Sequence, residues 1–139
     1  MSMVLYAVNA SNDLLWYRHY GYATGRKVGN GWDFKHLVSG GGGVLYAVDA
    51  SNRLLWYRHA GYGNGTPEWQ EGGPGREVGT GWDFKHLVSG GGGVLYAVNA
   101  SNDLLWYNHE GYGNGKPEWT ASAGLKVSTG WDVKQLCAG

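Results

Sequence analysis

The hydrophobic residues of this chain fall into short runs that show no helical period. The runs VLYAV and LLWYR alternate along the chain, and a polar link, ASND or ASNR, separates them. Runs rich in β-branched and aromatic residues, joined by a short polar link, are typical of antiparallel hairpins. A third run (KVG or REVG) and a fourth (FKHLV) follow before a glycine-rich stretch. The pattern predicts units of four short strands, and the 26 glycines disfavour helices throughout.

This unit occurs three times with nearly the same residues. VLYAV begins at Val4, Val44 and Val94, so we place the repeats at about residues 4–43, 44–93 and 94–139 of a single domain, residues 1–139. The copies differ in length in one loop. That loop reads GYATG in the first copy, and GYGNGTPEW or GYGNGKPEW in the other two.

The strand runs are apolar on both faces. In LLWYR, Leu14 and Trp16 point one way while Leu15 and Tyr17 point the other, which predicts that each sheet packs between neighbours. Four-stranded antiparallel units of this length, stacked face to face, are typical of β-propeller blades. A β-sandwich is the alternative, but it does not require near-identical units. We therefore predict an all-β fold, a β-propeller of four-stranded antiparallel blades with three repeats per chain.

The phrase GWDFKHLVSGGGGVLYAV, followed by a strand with an aromatic pair and a loop carrying PEW, resembles the tachylectin-type β-propeller lectins. The resemblance covers nearly the whole chain. It implies a propeller with one carbohydrate pocket per blade or blade boundary. It also implies a preference for N-acetylated sugars, such as N-acetylglucosamine or N-acetylgalactosamine, bound without a metal or catalytic residues. Where the family has Asp-Asn-Trp, this chain has Pro67-Glu68-Trp69 and Pro117-Glu118-Trp119, and the first repeat lacks the segment.

The order of the strands predicts how the ring closes. From the centre outward, the strands of one blade are predicted as FKHLV, VLYAV, LLWYRH and KVG. In this order the chain begins with three strands of one blade and ends with VKQL (Val133–Leu136), the innermost strand of another. Propellers typically have four to eight blades, and they close by joining such ends. The smallest closed solution is six blades formed by a homodimer, with a split blade at each of its junctions.

The loops SGGGG and GYGNGxPEW are predicted to share one side of the ring, because the loops of a meander alternate between its two sides. Aromatic plates, a few polar groups and an accessible glycine backbone are what a sugar pocket needs. The tryptophans would stack on the sugar or form a wall, and the glutamates and asparagines would bond its hydroxyl or acetamido groups. The tyrosines would border the pocket, and the histidines would add hydrogen bonds. The alternative is that the loop aromatics only cap the blade. The sugar-binding candidates are Trp69, Trp119, Glu68, Glu118, Asn64, Asn114, Tyr62, Tyr112, His59 and His109.

Other recurring residues receive structural interpretations. Trp32, Trp82 and Trp131 are expected to anchor one blade on the next. His36 and His86 are expected to lie in the core or to line the channel. Cys137, the only cysteine, replaces a valine of the earlier copies and is expected to be buried.

Composition and motifs argue against several classes of function. Eleven basic and eleven acidic residues give zero net charge, so we expect no nucleic-acid partner. No apolar segment approaches membrane-spanning length, so we expect no membrane insertion. No Gly-Lys-Ser/Thr, nucleophile elbow or metal-ligand spacing occurs, so we expect no enzyme activity, catalytic residue, metal or cofactor. MSMVLYAV lacks the pattern of a signal peptide, so a soluble protein is expected, in a compartment that the sequence leaves unknown.

Together these observations predict a multivalent lectin for glycans that carry N-acetylated sugars. Two alternatives stay open: a propeller scaffold for protein–protein interaction, and a designed or duplicated propeller fragment selected for folding and assembly. Near-identical blades favour a repeated small ligand over a varied protein surface. They do not separate the lectin from the duplicated fragment.

Overall fold

The structure is a computed structural model that describes residues 4–18, 25–70 and 75–138. Three antiparallel sheets follow one another along this part of the chain. The first sheet contains β1 (Val4–Val8), β2 (Leu14–Arg18) and β3 (Arg26–Gly29). The second contains β4 (His36–Gly41), β5 (Val44–Val48), β6 (Leu54–Arg58) and β7 (Arg76–Gly79). The third contains β8 (His86–Gly91), β9 (Val94–Val98), β10 (Leu104–Asn108) and β11 (Leu125–Ser128), with a 3₁₀ turn at Glu110–Gly113 between the last two.

The second and third sheets confirm the predicted four-stranded antiparallel unit and the predicted strand order. Their first strands, β4 and β8, pack beside each other. Both strands begin two residues later than FKHLV predicted. Lys35 N donates to Val48 O at 2.8 Å, and regular pairing starts with His36 opposite Val48. The chain bends at Lys35, and the strand that begins at His36 extends into the glycines, to Gly41.

Residues 129–138 form no strand, although VKQL was predicted as an innermost strand. In the described part of the chain no strand pairs with this segment. It contacts the third sheet through His86, whose Nε2 donates to Val133 O at 2.9 Å. Cys137 is exposed, so its predicted burial is wrong for the single chain.

The hairpin turns follow from the asparagines and aspartates at their corners. Asn9 Oδ1 accepts hydrogen bonds from the backbone N–H groups of Ser11 and Asp13, both at 3.0 Å. Asn12 adopts the left-handed conformation (φ +62°), which asparagine tolerates better than most residues. Asp49 and Asn99 start equivalent turns in the other sheets. Local hydrogen bonds therefore fix the links β1–β2, β5–β6 and β9–β10.

The core lies between adjacent sheets. Leu14 and Trp16 of the first sheet cluster with Leu45 of the second, and residues of the second sheet cluster with Leu95 of the third. Trp32, which follows the first sheet, is 7% exposed, and its ring centroid lies 4.6 Å from that of Tyr57 in the second. Trp82 and Tyr107 repeat this contact at 4.5 Å. The predicted anchoring of one unit on the next by these tryptophans is confirmed.

Candidate functional site

Two loops meet on one side of the sheets. We call residues 39–43 and 89–93 the glycine loops, and residues 61–69 and 111–119 the long loops. His59, at the start of one long loop, donates its backbone N–H to Gly43 O at 2.8 Å. His109 makes the same bond to Gly93 O, also at 2.8 Å. The prediction that these loops share one side is therefore confirmed.

Gly43 brings a long loop against a glycine loop. Its φ is +87°, a conformation that favours glycine. A Cβ on Gly43 would lie 2.6 Å from His59 O and 2.8 Å from Tyr62 Cδ1. The Tyr62 ring therefore packs directly on the backbone of the glycine loop, which only glycine permits.

A depression of about 190 Å³ lies between the first and second sheets, beside the Tyr62 ring. Tyr62 is 43% exposed there. Ser39 Oγ accepts from Gly41 N at 3.2 Å, and a hydroxyl that accepts one hydrogen bond still carries its own donor. The volume suits one small group, such as a sugar ring. The residues lining the depression are Val4, Tyr6, Ser39, Gly41, Gly42, Gly43 and Tyr62.

The same groups recur between the second and third sheets. Tyr112 is 38% exposed beside Gly93, and Ser89 Oγ accepts from Gly91 N at 3.1 Å. One difference lies beneath them: Tyr46 is fully buried, whereas Tyr6 is only partly buried. β4 pairs with β5 on the side away from β6. In the described chain no strand pairs with β1 on the side away from β2.

His59 is fully buried, and both of its ring nitrogens are bonded by the protein. Its Nδ1 accepts from the Tyr6 hydroxyl at 2.7 Å, and its Nε2 donates to Thr66 O at 2.8 Å. A carbonyl can only accept, so the Nε2 proton is fixed, and in the neutral ring Nδ1 is then the acceptor for the Tyr6 hydroxyl. Burial lowers the pKa of His59, and the bond to the Thr66 carbonyl offsets this in part. His59 thus links the preceding sheet to the long loop from beneath the surface.

His109 has the same arrangement at the second boundary. It is fully buried, accepts from the Tyr46 hydroxyl at 2.7 Å and donates to Lys116 O at 2.7 Å. Burial lowers the pKa of His109, against the raising effects of the Lys116 carbonyl and the Glu118 charge. The hydrogen bonds expected of the two histidines are therefore made within the protein.

Trp69 and Trp119 are half-buried and pack between sheets. Trp69 Nε1 donates to Val28 O of the first sheet at 2.7 Å, and Trp119 Nε1 donates to Val78 O of the second at 2.8 Å. The Trp69 ring lies 4.7 Å from the His59 ring and 5.4 Å from the Trp32 ring. Neither tryptophan lines the depression beside Tyr62. Each therefore forms part of the support of its long loop, with one portion still open to solvent.

The polar candidates on the long loops are the asparagines and glutamates, and Lys116 is a further exposed polar side chain there. Asn64 Oδ1 accepts from the backbone N–H of Thr66 at 3.1 Å and from its hydroxyl at 2.9 Å. Asn114 Oδ1 closes the equivalent turn with Lys116 N at 3.0 Å. Each amide NH₂ is the group that could serve a ligand. Glu68 and Glu118 are exposed. His19 and residues 21–24 of the short first loop lie outside the described residues.

The residues that hold the long loops from the preceding sheet were not among the candidates predicted from the sequence. Trp16 Nε1 donates to Tyr62 O at 2.8 Å, and Trp56 Nε1 donates to Tyr112 O at 2.7 Å. These tryptophans recur with the repeat, and an arginine follows each of them two residues later. That recurrence was the available signal. Nothing local in the sequence indicates which loop the side chains reach.

Comparison with protein families decides which class of protein carries this arrangement. Residues 17–139 match the model of the tachylectin family. The chain belongs to the tachylectin family. Searches of curated proteins and of solved structures gave no match to it. The three antiparallel sheets are consistent with the propeller-like tachylectin fold.

Tachylectin membership indicates a lectin, that is, a carbohydrate-binding role, in a family that is generally non-catalytic. The loops of this chain offer chemistry that suits a carbohydrate. They carry an exposed tyrosine ring, amide and carboxylate groups, and a glycine backbone that a ligand can approach closely. Among the described residues, no helix is long and apolar enough to cross a membrane.

Proposed function

We propose that this tachylectin-family protein is a multivalent lectin that binds N-acetylated sugars, such as N-acetylglucosamine or N-acetylgalactosamine, without catalysis. The family match over residues 17–139 carries the proposal. The exposed tyrosine beside a glycine loop, present at both described boundaries between sheets, supports it.

In the proposed site, the apolar C–H face of the sugar rests on Tyr62 or Tyr112. The Ser39 or Ser89 hydroxyl donates to a sugar oxygen. Asn64 and Asn114 contribute amide N–H donors, and Glu68 and Glu118 accept from sugar hydroxyls. Trp69 and Trp119 hold their long loops in place through the bonds to Val28 O and Val78 O, and their open portions offer a further apolar surface outside the depression. His59 and His109 contribute indirectly, by holding Thr66 O and Lys116 O.

Multivalency follows from repetition of the site on one rigid support. A single sugar held by a shallow site is bound weakly. Two sites at a fixed separation raise the avidity for a surface that carries many glycans, without any new contact. We therefore expect strong retention on N-acetylated glycan surfaces and weak binding of the free monosaccharide.

We also propose that two copies form a six-bladed ring. The support is a difference in burial between identical strands: Leu5 of β1 is 57% exposed, whereas Leu45 and Leu95 at the same position are 1% and 0% exposed. Residues 133–136, with the sequence of an innermost strand, would cover β1 of the second copy. Burial of apolar surface between the two copies would then favour assembly by about 25 cal/mol for each Å² removed from water.

A glycan array followed by titration with N-acetylglucosamine tests the lectin proposal. We expect binding to N-acetylated sugars, weaker binding to glucose, and loss of binding in the double variant Tyr62→Ala/Tyr112→Ala. No binding to any sugar would overturn the proposal. The mass of the protein in solution tests the ring separately, because a monomer at micromolar concentration would exclude it.

A further inference from the structure

Each long loop is held through three consecutive carbonyls of its own backbone. Each carbonyl accepts a hydrogen bond from a side chain of the preceding sheet. At the second boundary, Trp56 Nε1 donates to Tyr112 O at 2.7 Å, Arg58 Nη1 to Gly113 O at 2.8 Å and Arg76 Nη1 to Asn114 O at 3.0 Å. Arg76 also lies 5.8 Å from the centre of the Trp56 ring, within the range of a cation–π contact.

The first boundary repeats this arrangement residue for residue. Trp16 Nε1 donates to Tyr62 O at 2.8 Å, Arg18 Nη2 donates to Gly63 O, and Arg26 Nη1 donates to Asn64 O at 3.3 Å. Arg18 and Arg26 both lie within 6.0 Å of the centre of the Trp16 ring. The arrangement therefore recurs with the repeat at both described boundaries between sheets.

Two of the three carbonyls that are held belong to residues whose side chains are candidates for sugar contact, and the middle one belongs to a glycine. Tyr112 and Asn114 present their side chains to solvent, while their backbones are fixed from the other direction. A loop whose backbone is fixed before binding pays less conformational entropy when a ligand arrives. A guanidinium bonded to a carbonyl is also a stronger restraint than a neutral donor.

We infer that Trp56, Arg58 and Arg76 are positioning residues for sugar binding at the long loop of the following sheet. Their counterparts in the first sheet do the same for the earlier loop. This inference rests on the proposed lectin function. Each sugar site is then a property of two adjacent sheets, because one supplies the loop and the other sets its backbone.

The third sheet lacks the arginines of this arrangement. It keeps Trp106, but Asn108 stands where the other sheets have Arg18 and Arg58. Leu125 pairs with Trp106 in the register in which Arg76 pairs with Trp56. The third sheet therefore does not position a following loop in this way, and the described residues form two sites of this kind.

Calorimetric titration with N-acetylglucosamine tests the inference through the number and strength of sites. The wild-type chain should show two equivalent sites. Arg58→Met keeps most of the side-chain stem but removes the guanidinium, so one site should weaken about tenfold, equal to ~1.4 kcal/mol, while the other is unchanged. Arg18→Met/Arg58→Met should weaken both sites.

The matched control is Arg53→Met, the same chemical change in a turn on the opposite side, where Arg53 pairs with Asp49 at 2.7 Å. It should leave both sites unchanged. Arg58→Lys retains one donor and should restore part of the affinity. It also serves as the second variant if Arg58→Met does not fold, as thermal unfolding would reveal. A folded Arg58 variant that titrates like wild type would overturn the inference, whereas a wild type that binds no sugar would overturn the proposed function instead.

Discussion

Tyr46→Phe should measure what the buried tyrosine–histidine bond contributes to stability. The substitution removes one hydroxyl and leaves the ring packing nearly unchanged. Tyr46 and His109 are both fully buried, and the bond between them is 2.7 Å long. Removing the hydroxyl therefore leaves His109 Nδ1 without its donor in a place that water does not reach.

The expected cost follows from these contacts. A neutral hydrogen bond contributes about 1 kcal/mol net, and leaving a buried acceptor unsatisfied costs about 1–3 kcal/mol. We expect a loss of about 2 kcal/mol in the free energy of unfolding, or roughly 8 °C in Tm for a domain of this size. Tyr6→Phe should cost less, about 1 kcal/mol, because water can reach the partly buried Tyr6 site.

Urea unfolding at 25 °C, followed by tryptophan fluorescence, gives the free energies. Tyr96→Phe is the matched control, since Tyr96 holds the same strand position in the third sheet and is only partly buried. It should change stability by less than about 0.5 kcal/mol. If Tyr46→Phe and Tyr96→Phe lose the same amount, the hydrogen bond to His109 contributes nothing and the reasoning is wrong.

Three further predictions concern the same side of the molecule. Burial lowers the pKa values of His59 and His109, so folding favours the neutral rings. The stability that the two neutral rings contribute is complete above the ordinary histidine pKa of about 6.5. It is lost as the pH falls below that value, because the unfolded chain then binds protons more readily. Urea unfolding between pH 7.5 and 5.5 should show this loss in the free energy of unfolding, and the double variant His59→Gln/His109→Gln should show a weaker dependence on pH. The same pH dependence in both proteins would show that these two histidines are not its source. Gly43→Ala should cost at least about 1 kcal/mol more than Gly42→Ala in thermal unfolding. Both pay about 1–2 kcal/mol for a left-handed alanine, but only position 43 has backbone 2.6 Å from the new Cβ. Trp119→Phe removes the donor to Val78 O and should destabilise the protein by about 1–3 kcal/mol, as chemical unfolding would measure; a stability equal to wild type would show that this bond is not a restraint.

The strand units could be predicted from sequence because their determinants are local. The turn that starts at Asn9 and the run VLYAV before it define a hairpin within about ten residues, so pattern and turn chemistry suffice. The late start of β4 was missed because it depends on Lys35 N reaching Val48 O, a contact across the sheet. Identical VLYAV runs also differ in exposure according to the neighbours of each sheet, which the run itself cannot encode.

The candidate site was less accessible to sequence reasoning, because its supports come from the preceding sheet. His59 ends a strand and was expected beside the pocket, yet Tyr6 bonds it from 53 positions away in the sequence. Trp69 was expected as a sugar plate, and its indole N–H bonds to Val28, 41 positions away. Residue type indicated that these side chains can stack and form hydrogen bonds. It did not indicate their partners.

The side chains that hold the long loops donate to main-chain oxygens of those loops. This support of the loop backbone is therefore independent of the loop's own side chains. His59 donates to the carbonyl of Thr66 at 2.8 Å, and His109 donates to that of Lys116 at 2.7 Å, although the two residues share no side-chain chemistry. Substitutions at exposed loop positions can therefore accumulate without redirecting the backbone. Such a surface can change its ligand by point mutation in one repeat at a time while the other repeats keep theirs.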